Sequence, residues 1–184
     1  MGFRMLRTAA ALVTVLLLAG CVPREPVITP EPDPASTPVF ASDEEALAAA
    51  TEAYARYLEV SDQITADGGN NPERIAKFVT TEQLAKELTG FRLFSDRKLH
   101  TIGSSTFDTE SLQRSDSSEG LAEVTIYACK DAMAVYILNE AGTDITPPDR
   151  NARAPFELSF SNQLNGNSVL VLSRSEQWHG ADFC

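Results

Sequence analysis

The sequence predicts an α+β domain in which three N-terminal helices pack against a strongly bent antiparallel sheet. Up to Lys98, apolar side chains recur at spacings of three and four residues, which is the period of a helix. Beyond Lys98 they alternate with polar ones, as on a strand with one buried face. The pair Asn165-Gly166 then separates two such runs, and this pair is typical of an antiparallel hairpin.

The composition limits both the size and the partners of the protein. The chain has 184 residues, which suits one domain, and its formal net charge is −11. This charge argues against nucleic acid and against charge-driven adhesion to anionic lipid, because both require basic patches. Three cysteines and two histidines leave little material for a metal site, so we expect no metal and no cofactor.

The helices are predicted from caps and stripes. Ser42 and Glu45 have the spacing of a capping box, and the first helix is predicted to continue to about Ile64. Asn71 followed by a proline predicts a short helix over 72–78, and Thr80 or Thr81 is expected to cap a third. The stripes that face the core are Leu47, Ala50, Tyr54, Tyr57, Leu58 and Ser61 on the first helix, and Leu84, Leu88, Phe91 and Phe94 on the third.

The strands follow from alternation. Residues 99–103 are a predicted strand, and 104–120, rich in Ser, Thr and Asp, are either a strand pair with a loop or mostly loop. Residues 121–138 are predicted as one long strand with a bulge or corner at Lys130-Asp131, where a charge falls on each face. The last two predicted strands are a half-buried one around Phe156, Leu158 and Phe160 and a returning one over 168–177.

The first 21 residues have the parts of an export signal. Two arginines precede a largely apolar run over 9–18, too short to span a bilayer, and the run ends in Leu18-Ala19-Gly20-Cys21. This ending resembles the lipobox of bacterial prolipoproteins. The resemblance implies cleavage before Cys21 and a diacylglyceryl anchor on it. The alternatives are an ordinary secretory peptide with an incidental cysteine, or an uncleaved anchor.

This interpretation divides the chain into three parts. Residues 1–20 are a signal peptide, 21–41 are the lipidated cysteine and a tether rich in proline, and 42–184 are the globular domain. Two acyl chains attach a protein stably to a membrane, whereas one does so only marginally. We therefore expect the extracytoplasmic face of the cell membrane as the location and the membrane as a partner through Cys21.

Two cysteines remain once Cys21 carries lipid. Cys129 and Cys184 form an even pair in an exported domain, which predicts a disulfide. The alternative is two separate buried thiols.

The order of elements resembles the nuclear transport factor 2-like fold, a cone in which the sheet wraps the long first helix. The chain also resembles small lipoproteins of high-GC Gram-positive bacteria with that fold, in 46–57, in VTIYACKD (124–131) and in WHGADFC (178–184). The resemblance covers about 42–184. It implies fold and location and transfers no activity, because the fold includes isomerases, dehydratases, polyketide cyclases and non-catalytic binding modules.

Few residues are candidates for a site. An enzyme of this fold needs an Asp or His base inside the cone, often beside a Tyr donor. Asp62, His100 and Asp131 qualify by residue type, but their contexts favour solvated or structural groups, so no residue is assigned as catalytic. The candidate pocket donors are Tyr54, Tyr57 and Tyr136, for which core packing is the competing explanation.

Three classes of function are compatible with the sequence, of which a purely structural role in envelope assembly is the third. The first is non-catalytic binding of a small apolar ligand or an envelope protein. The alternative is a small cofactor-independent isomerase, dehydratase or cyclase. We expect one apolar interior, rimmed by Tyr54 or Tyr57, with no buried acid or histidine within reach of a ligand. The residues expected to form it are Leu47, Tyr54, Leu58, Ile126, Tyr136, Phe156, Leu158 and Phe160.

The lipid anchor is testable by one substitution. Cys21→Ser should abolish incorporation of a fatty-acid analogue during metabolic labelling, because the thiol that accepts the diacylglyceryl group is gone. The variant protein should be released to the medium or stay an uncleaved precursor. Equal label in the wild type and the variant would contradict the lipoprotein interpretation.

Overall fold

The computed structural model describes residues 38–162 and 168–184. The predicted signal peptide, Cys21, the tether up to residue 37 and the Asn165-Gly166 turn lie outside the described residues. Helices come first and antiparallel strands follow, so the α+β class is confirmed. The elements are α1 (Asp43–Ala66), a 3₁₀ helix (Pro72–Lys77), α2 (Thr81–Arg97), β1 (His100–Ile102), β2 (Thr106–Ser118), β3 (Leu121–Asp131), β4 (Tyr136–Leu138), β5 (Arg153–Ser161) and β6 (Val171–Gln177).

The long helix α1 begins as its sequence predicts, but two residues of its predicted core stripe, Leu47 and Ser61, are only half-buried. The Ser42 hydroxyl accepts from the N–H of Glu45 at 3.2 Å, and the Glu45 carboxylate accepts from the N–H of Ala41 at 2.7 Å. Small side chains cover the buried face of its first half and larger ones that of its second half. These buried residues are Ala46, Ala50, Ala53, Tyr54, Tyr57, Leu58 and Ile64. The alanines allow the backbone of α1 to approach the sheet closely.

The other two helices match their predicted positions with one difference in capping. Asn71 precedes the 3₁₀ helix, but its side chain makes no capping hydrogen bond and its φ is 49°. It therefore serves as a left-handed turn residue, a conformation that Asn tolerates better than most residues. Thr80 caps α2, and its hydroxyl accepts from the N–H of Gln83 at 3.4 Å.

The strands form two separate antiparallel sheets rather than one bent sheet. β1 pairs with β4, and the larger sheet has the order β2-β3-β5-β6. The predicted corner at Lys130-Asp131 is present, because the chain turns after Asp131, whose carboxylate accepts from the N–H of Met133 at 2.8 Å. The prediction of one continuous strand over 121–138 is wrong. Beyond that turn, β4 joins β1 instead of continuing the large sheet.

The Ser-, Thr- and Asp-rich segment is a single strand. β2 pairs with β3 along nearly its whole length, with register shifts after Asp108 and after Leu112. Glu119 and Gly120 connect the two strands with φ values of 54° and 77°. Two consecutive residues at positive φ make a hairpin turn whose twist matches that of the strands. The prediction of a strand pair with a loop, or of mostly loop, is therefore wrong.

The large sheet has an inner face toward α1 and an outer face. Even-numbered residues of β3 and β5 lie on the inner face and form the core with α1, among them Val124, Ile126, Ala128, Leu158 and Phe160. Tyr136 is not among them. It lies on β4 opposite Ile102 of β1 and is 45 % exposed, so its predicted place in the apolar interior is wrong.

The C-terminal segment folds back over one end of the outer face. The rings of Trp178 and Phe183 lie 5.1 and 5.8 Å from the ring of Tyr127 on β3. Cys184 forms a disulfide with the fully buried Cys129, across a Cα–Cα distance of 5.5 Å. The predicted disulfide is confirmed, and it fixes the last residue of the chain to the central part of the sheet.

Reduction of this disulfide should lower the melting temperature. A closed loop of this length stabilises by about 4 kcal/mol in the chain-entropy model, which corresponds to a drop on the order of 10 °C for a domain of this size. The measurement is a thermal melt with and without reductant. The Cys129→Ser/Cys184→Ser double variant should melt like the reduced protein. Titration of two free thiols in the denatured, unreduced Cys21→Ser protein would contradict the cross-link.

Candidate functional site

A groove runs between the second half of α1 and the segment that connects β1 to β2. Its volume is about 530 Å³, within the range of small-molecule sites. Apolar walls come from both sides, with Leu58 at the buried base. The apolar lining residues are Ala55, Leu58, Ala66 and Phe107, and the polar ones are Glu59, Asp62, Gln63, Ser104, Ser105 and Thr106.

Asp62 holds the connecting segment against α1. One carboxylate oxygen accepts from the N–H of Ser105 at 2.6 Å and the other accepts from its hydroxyl at 3.0 Å. Thr65, one turn further, exchanges a hydrogen bond of 2.9 Å with the hydroxyl of Thr101 on β1. At Gly103 the φ is 86° and a Cβ would lie 1.9 Å from the carbonyl oxygen of Ala134, so only glycine fits. These contacts fix the width of the groove.

A polar cluster lies beside the core, between α1, α2 and β3. We define it as Tyr57, Gln83, Glu87 and Lys130. One carboxylate oxygen of Glu87 accepts from the Tyr57 hydroxyl at 2.9 Å and from the Gln83 amide at 2.7 Å. Gln83 is 4 % exposed and Tyr57 is 6 % exposed, whereas Glu87 is half-buried, so these hydrogen bonds are partly shielded from water. A half-buried acid thus lies within hydrogen-bond reach of Tyr57. The expectation that no buried acid or histidine lies within reach of a ligand stays a prediction.

The tyrosines in this region resist ionisation. Burial raises the pKa of the Tyr57 hydroxyl well above its ordinary value, and the nearby charge of Glu87 raises it further. Burial also raises the pKa of Tyr54, with smaller contributions from Glu87 and Asp62. The ring of Tyr54 packs edge-on against Phe107 at 4.8 Å. Tyr54 is thus a core residue whose charge-free form the fold requires.

Lys130 is the cationic member of the polar cluster. It lies on the inner face of β3, and loss of hydration lowers the pKa of its ammonium group. The charges of Asp62 and Glu87 act in the opposite direction, but their effect is smaller. No ion pair joins Lys130 to a carboxylate within the described residues.

The structure separates the residues that the sequence singles out. Asp62 lines the groove, whereas Tyr54 and Tyr57 lie in the core behind it and Tyr136 is exposed on the small sheet. His100 is half-buried on β1. The Asp131 carboxylate accepts from the N–H of Met133 and from Arg153 at 3.3 Å, so local pairing explains it.

Glu87 is the main residue that the sequence analysis missed. Gln83, Glu87 and Phe91 are spaced by four along α2 and extend one buried stripe, in which Phe91 is 4 % exposed. A polar pair that continues an apolar stripe at this spacing is a usable signal for a buried hydrogen bond.

Neither sequence comparison finds a relative. No protein-family model matches the chain, and no curated protein matches it. Two solved structures are similar in fold. A periplasmic fragment of TraM has a TM-score of 0.46 and 13 % identity, covering 75 % of this chain and 98 % of that one. The intermembrane-space region of the chloroplast protein ARC6 has a TM-score of 0.48 and 10 % identity, covering 71 % and 95 %. Likeness at this level carries no argument about function.

The part of the chain that the structure describes has neither a helix that could span a membrane nor a cluster that could hold a metal ion. No helix within 38–162 or 168–184 has the length and hydropathy needed to cross a membrane. Within the same residues, no group of three or more His, Cys, Asp and Glu side chains is arranged to hold a metal ion.

Tyr57→Phe should change stability in a pH-dependent way. At neutral pH the variant should lose about 1 kcal/mol of unfolding free energy, because one hydrogen bond to Glu87 is gone. Above a pH of about 10 the hydroxyl ionises in the unfolded wild type but not in the folded one, so wild-type stability falls as pH rises. The difference between the two proteins should therefore shrink above that pH in urea titrations.

Glu87→Gln provides the second arm of this measurement. This variant keeps an acceptor for the Tyr57 hydroxyl but removes the Glu87 charge that raises the tyrosine pKa. The unfolding free energy that it loses at alkaline pH should therefore lie between the losses of the wild type and of Tyr57→Phe. A constant difference between wild type and Tyr57→Phe from neutral to strongly alkaline pH would contradict the buried, hydrogen-bonded state of Tyr57.

Proposed function

We propose that the chain is a lipid-anchored extracytoplasmic protein whose domain binds a small apolar molecule, without catalysis, in the groove beside α1. The observation that carries the proposal is the groove itself, with its apolar walls at Ala55, Leu58 and Phe107. Burial of an apolar surface in such a site contributes about 25 cal/mol per Å². Shape and apolar area, rather than a charged partner, supply the affinity in this proposal.

The groove offers little for proton transfer. Two carboxylates line it: Asp62, to both of whose oxygens Ser105 donates, and Glu59, which is exposed and accepts from the Gln63 amide. A general base must lie within hydrogen-bond reach of the proton that it removes, and the bonds from Ser105 hold the Asp62 carboxylate against the β1–β2 connection instead. In this account Asp62 therefore shapes the binding site and does not take part in a reaction.

The proposal also includes the anchor and the fold family. A lipid on Cys21 would hold the domain outside the membrane through the tether of residues 21–41, and the lipobox resemblance supports this. The packing of α1 along the inner face of the large sheet supports kinship with the nuclear transport factor 2-like cone. Burial of Tyr54, at 1 % exposed, fits this relationship because a cone surrounds its first helix.

The groove can be tested with the neutral apolar fluorophore N-phenyl-1-naphthylamine. Added to the ¹⁵N-labelled full-length chain, it should shift the amide resonances of Leu58 and of 103–107 in a saturable manner. Ala55→Phe should weaken binding at least about tenfold, because the new ring occupies the groove. Ala85→Phe, at an exposed position on α2 outside the groove, is the matched control and should bind like the wild type.

Equal binding by Ala55→Phe and wild type would contradict the groove as the site. An envelope protein that inserts an apolar side chain would shift the same amides, and Ala55→Phe would block it as well.

A cofactor-independent enzyme is the second candidate function, and the polar cluster favours it. Tyr57 donates to Glu87 at 2.9 Å, and burial shifts the pKa of both Tyr57 and Lys130, a combination found in sites that move protons. None of the three lines the groove. In the same titration, resonance shifts that reach Lys130 would favour this function, whereas shifts confined to the groove favour binding alone.

A further inference from the structure

The outer face of the large sheet carries a second depression, at the end that the C-terminal segment leaves open. Its volume is about 580 Å³, and the first residues of α2 form one wall. A single row crosses all four strands there, because the register pairs Arg114 with Thr125, Thr125 with Ser159 and Ser159 with Arg174. The hydroxyl oxygens of Thr125 and Ser159 lie 3.2 Å apart. The floor of the depression is therefore polar from edge to edge.

Ser161 is a buried hydroxyl in this depression without a protein partner. It lies two residues after Ser159 on β5 and therefore on the same outer face. It is 3 % exposed, it lines the depression, and its oxygen makes no hydrogen bond. A buried hydroxyl without a partner is costly in a folded protein, and such a group requires an explanation. A ligand oxygen that occupies the depression supplies the missing partner.

The first turn of α2 adds further donors. The N–H groups of Thr81 and Glu82 have no partner within the helix, as at every helix N-terminus. Thr80 holds this end beside β6, because its N–H donates to the carbonyl of Leu172 at 2.9 Å. The first residues of α2, the hydroxyl-bearing residues of the strands and Ser161 therefore all line one depression.

The charges in the depression balance. Two arginines, Arg114 and Arg174, line it together with two glutamates, Glu82 and Glu123. Arg174 already pairs with Glu157 at 2.8 Å, and Arg114 contacts Asp116. An oxyanion would meet no net positive charge here and would approach an acidic protein. Donors and acceptors are instead present together, which suits the hydroxyl groups of a neutral sugar.

We propose that this depression binds a neutral saccharide, which is held by hydrogen bonds to its hydroxyl groups. The one aromatic residue in the lining, Phe160, is fully buried, so recognition does not rest on ring stacking. The site is separate from the apolar groove, because it lies on the opposite face of the sheet from α1.

The test is a titration of the ¹⁵N-labelled full-length chain with maltose and with N,N′-diacetylchitobiose at millimolar concentration. At least one sugar should shift the amides of Thr81, Thr125, Ser159 and Ser161 in a saturable manner. Ser161→Ala should weaken that binding about three- to tenfold, the effect of one neutral hydrogen bond. The same variant should unfold at an unchanged or higher temperature, because the hydroxyl has no partner in the free protein.

Ser111→Ala is the matched control. Ser111 is exposed on the outer face of β2 and does not line the depression, so this variant should bind sugar like the wild type. Inorganic phosphate provides the competing arm. Shifts with phosphate and with neither sugar would overturn the proposal in favour of an oxyanion site. The proposal is equally overturned when neither sugar causes shifts, or when Ser161→Ala binds with full affinity.

Discussion

The fold depends on the contact between α1 and the inner face of the large sheet. Fully buried side chains of the helix, such as Ala46, Ala50 and Tyr54, meet Val124, Ile126, Leu158 and Phe160 of β3 and β5 in one apolar core. Each large side chain buried there contributes about 1.5–3 kcal/mol. Without this contact the inner face of the large sheet has no cover.

The same contact determines where the buried polar groups of the domain lie. Apolar side chains occupy the inner face of the sheet near Tyr54, so the polar side chains lie at the edges of the core. There Asp62 accepts a hydrogen bond from Ser105, and Tyr57 donates one to Glu87. The first bond shapes the apolar groove, and the second locks α2 to α1. On the far side of the sheet the disulfide and the Trp178 segment cover one end, which leaves the other end polar and open. Two unlike surfaces therefore arise from one sheet.

Local signals in the sequence were sufficient to predict the helices but not to predict β2 or the pairing of β4 with β1. Ser42 and Thr80 mark helix starts because capping is a contact between near neighbours, and the Cys129–Cys184 pair follows from counting. β2 escapes prediction because pairing with β3, rather than a buried side-chain pattern, keeps it extended. The two charges at Lys130-Asp131 predict the corner, but the change of sheet beyond it escapes prediction because alternation resumes in β4. Glu87 escapes because its partner Tyr57 lies thirty residues away, and no local pattern reveals a contact across two helices.

Native-state amide hydrogen exchange, measured as a function of denaturant, tests the central role of α1 most directly. The account predicts that the amides of Ala53, Tyr54 and Ile126 exchange only through global unfolding, with the free energy obtained from the denaturant transition. The amides of β1 and β4 should exchange earlier, through local opening of the small sheet. Exchange of the α1 amides at a free energy well below that of β3 would contradict the account, because the helix would then open while the sheet stays folded.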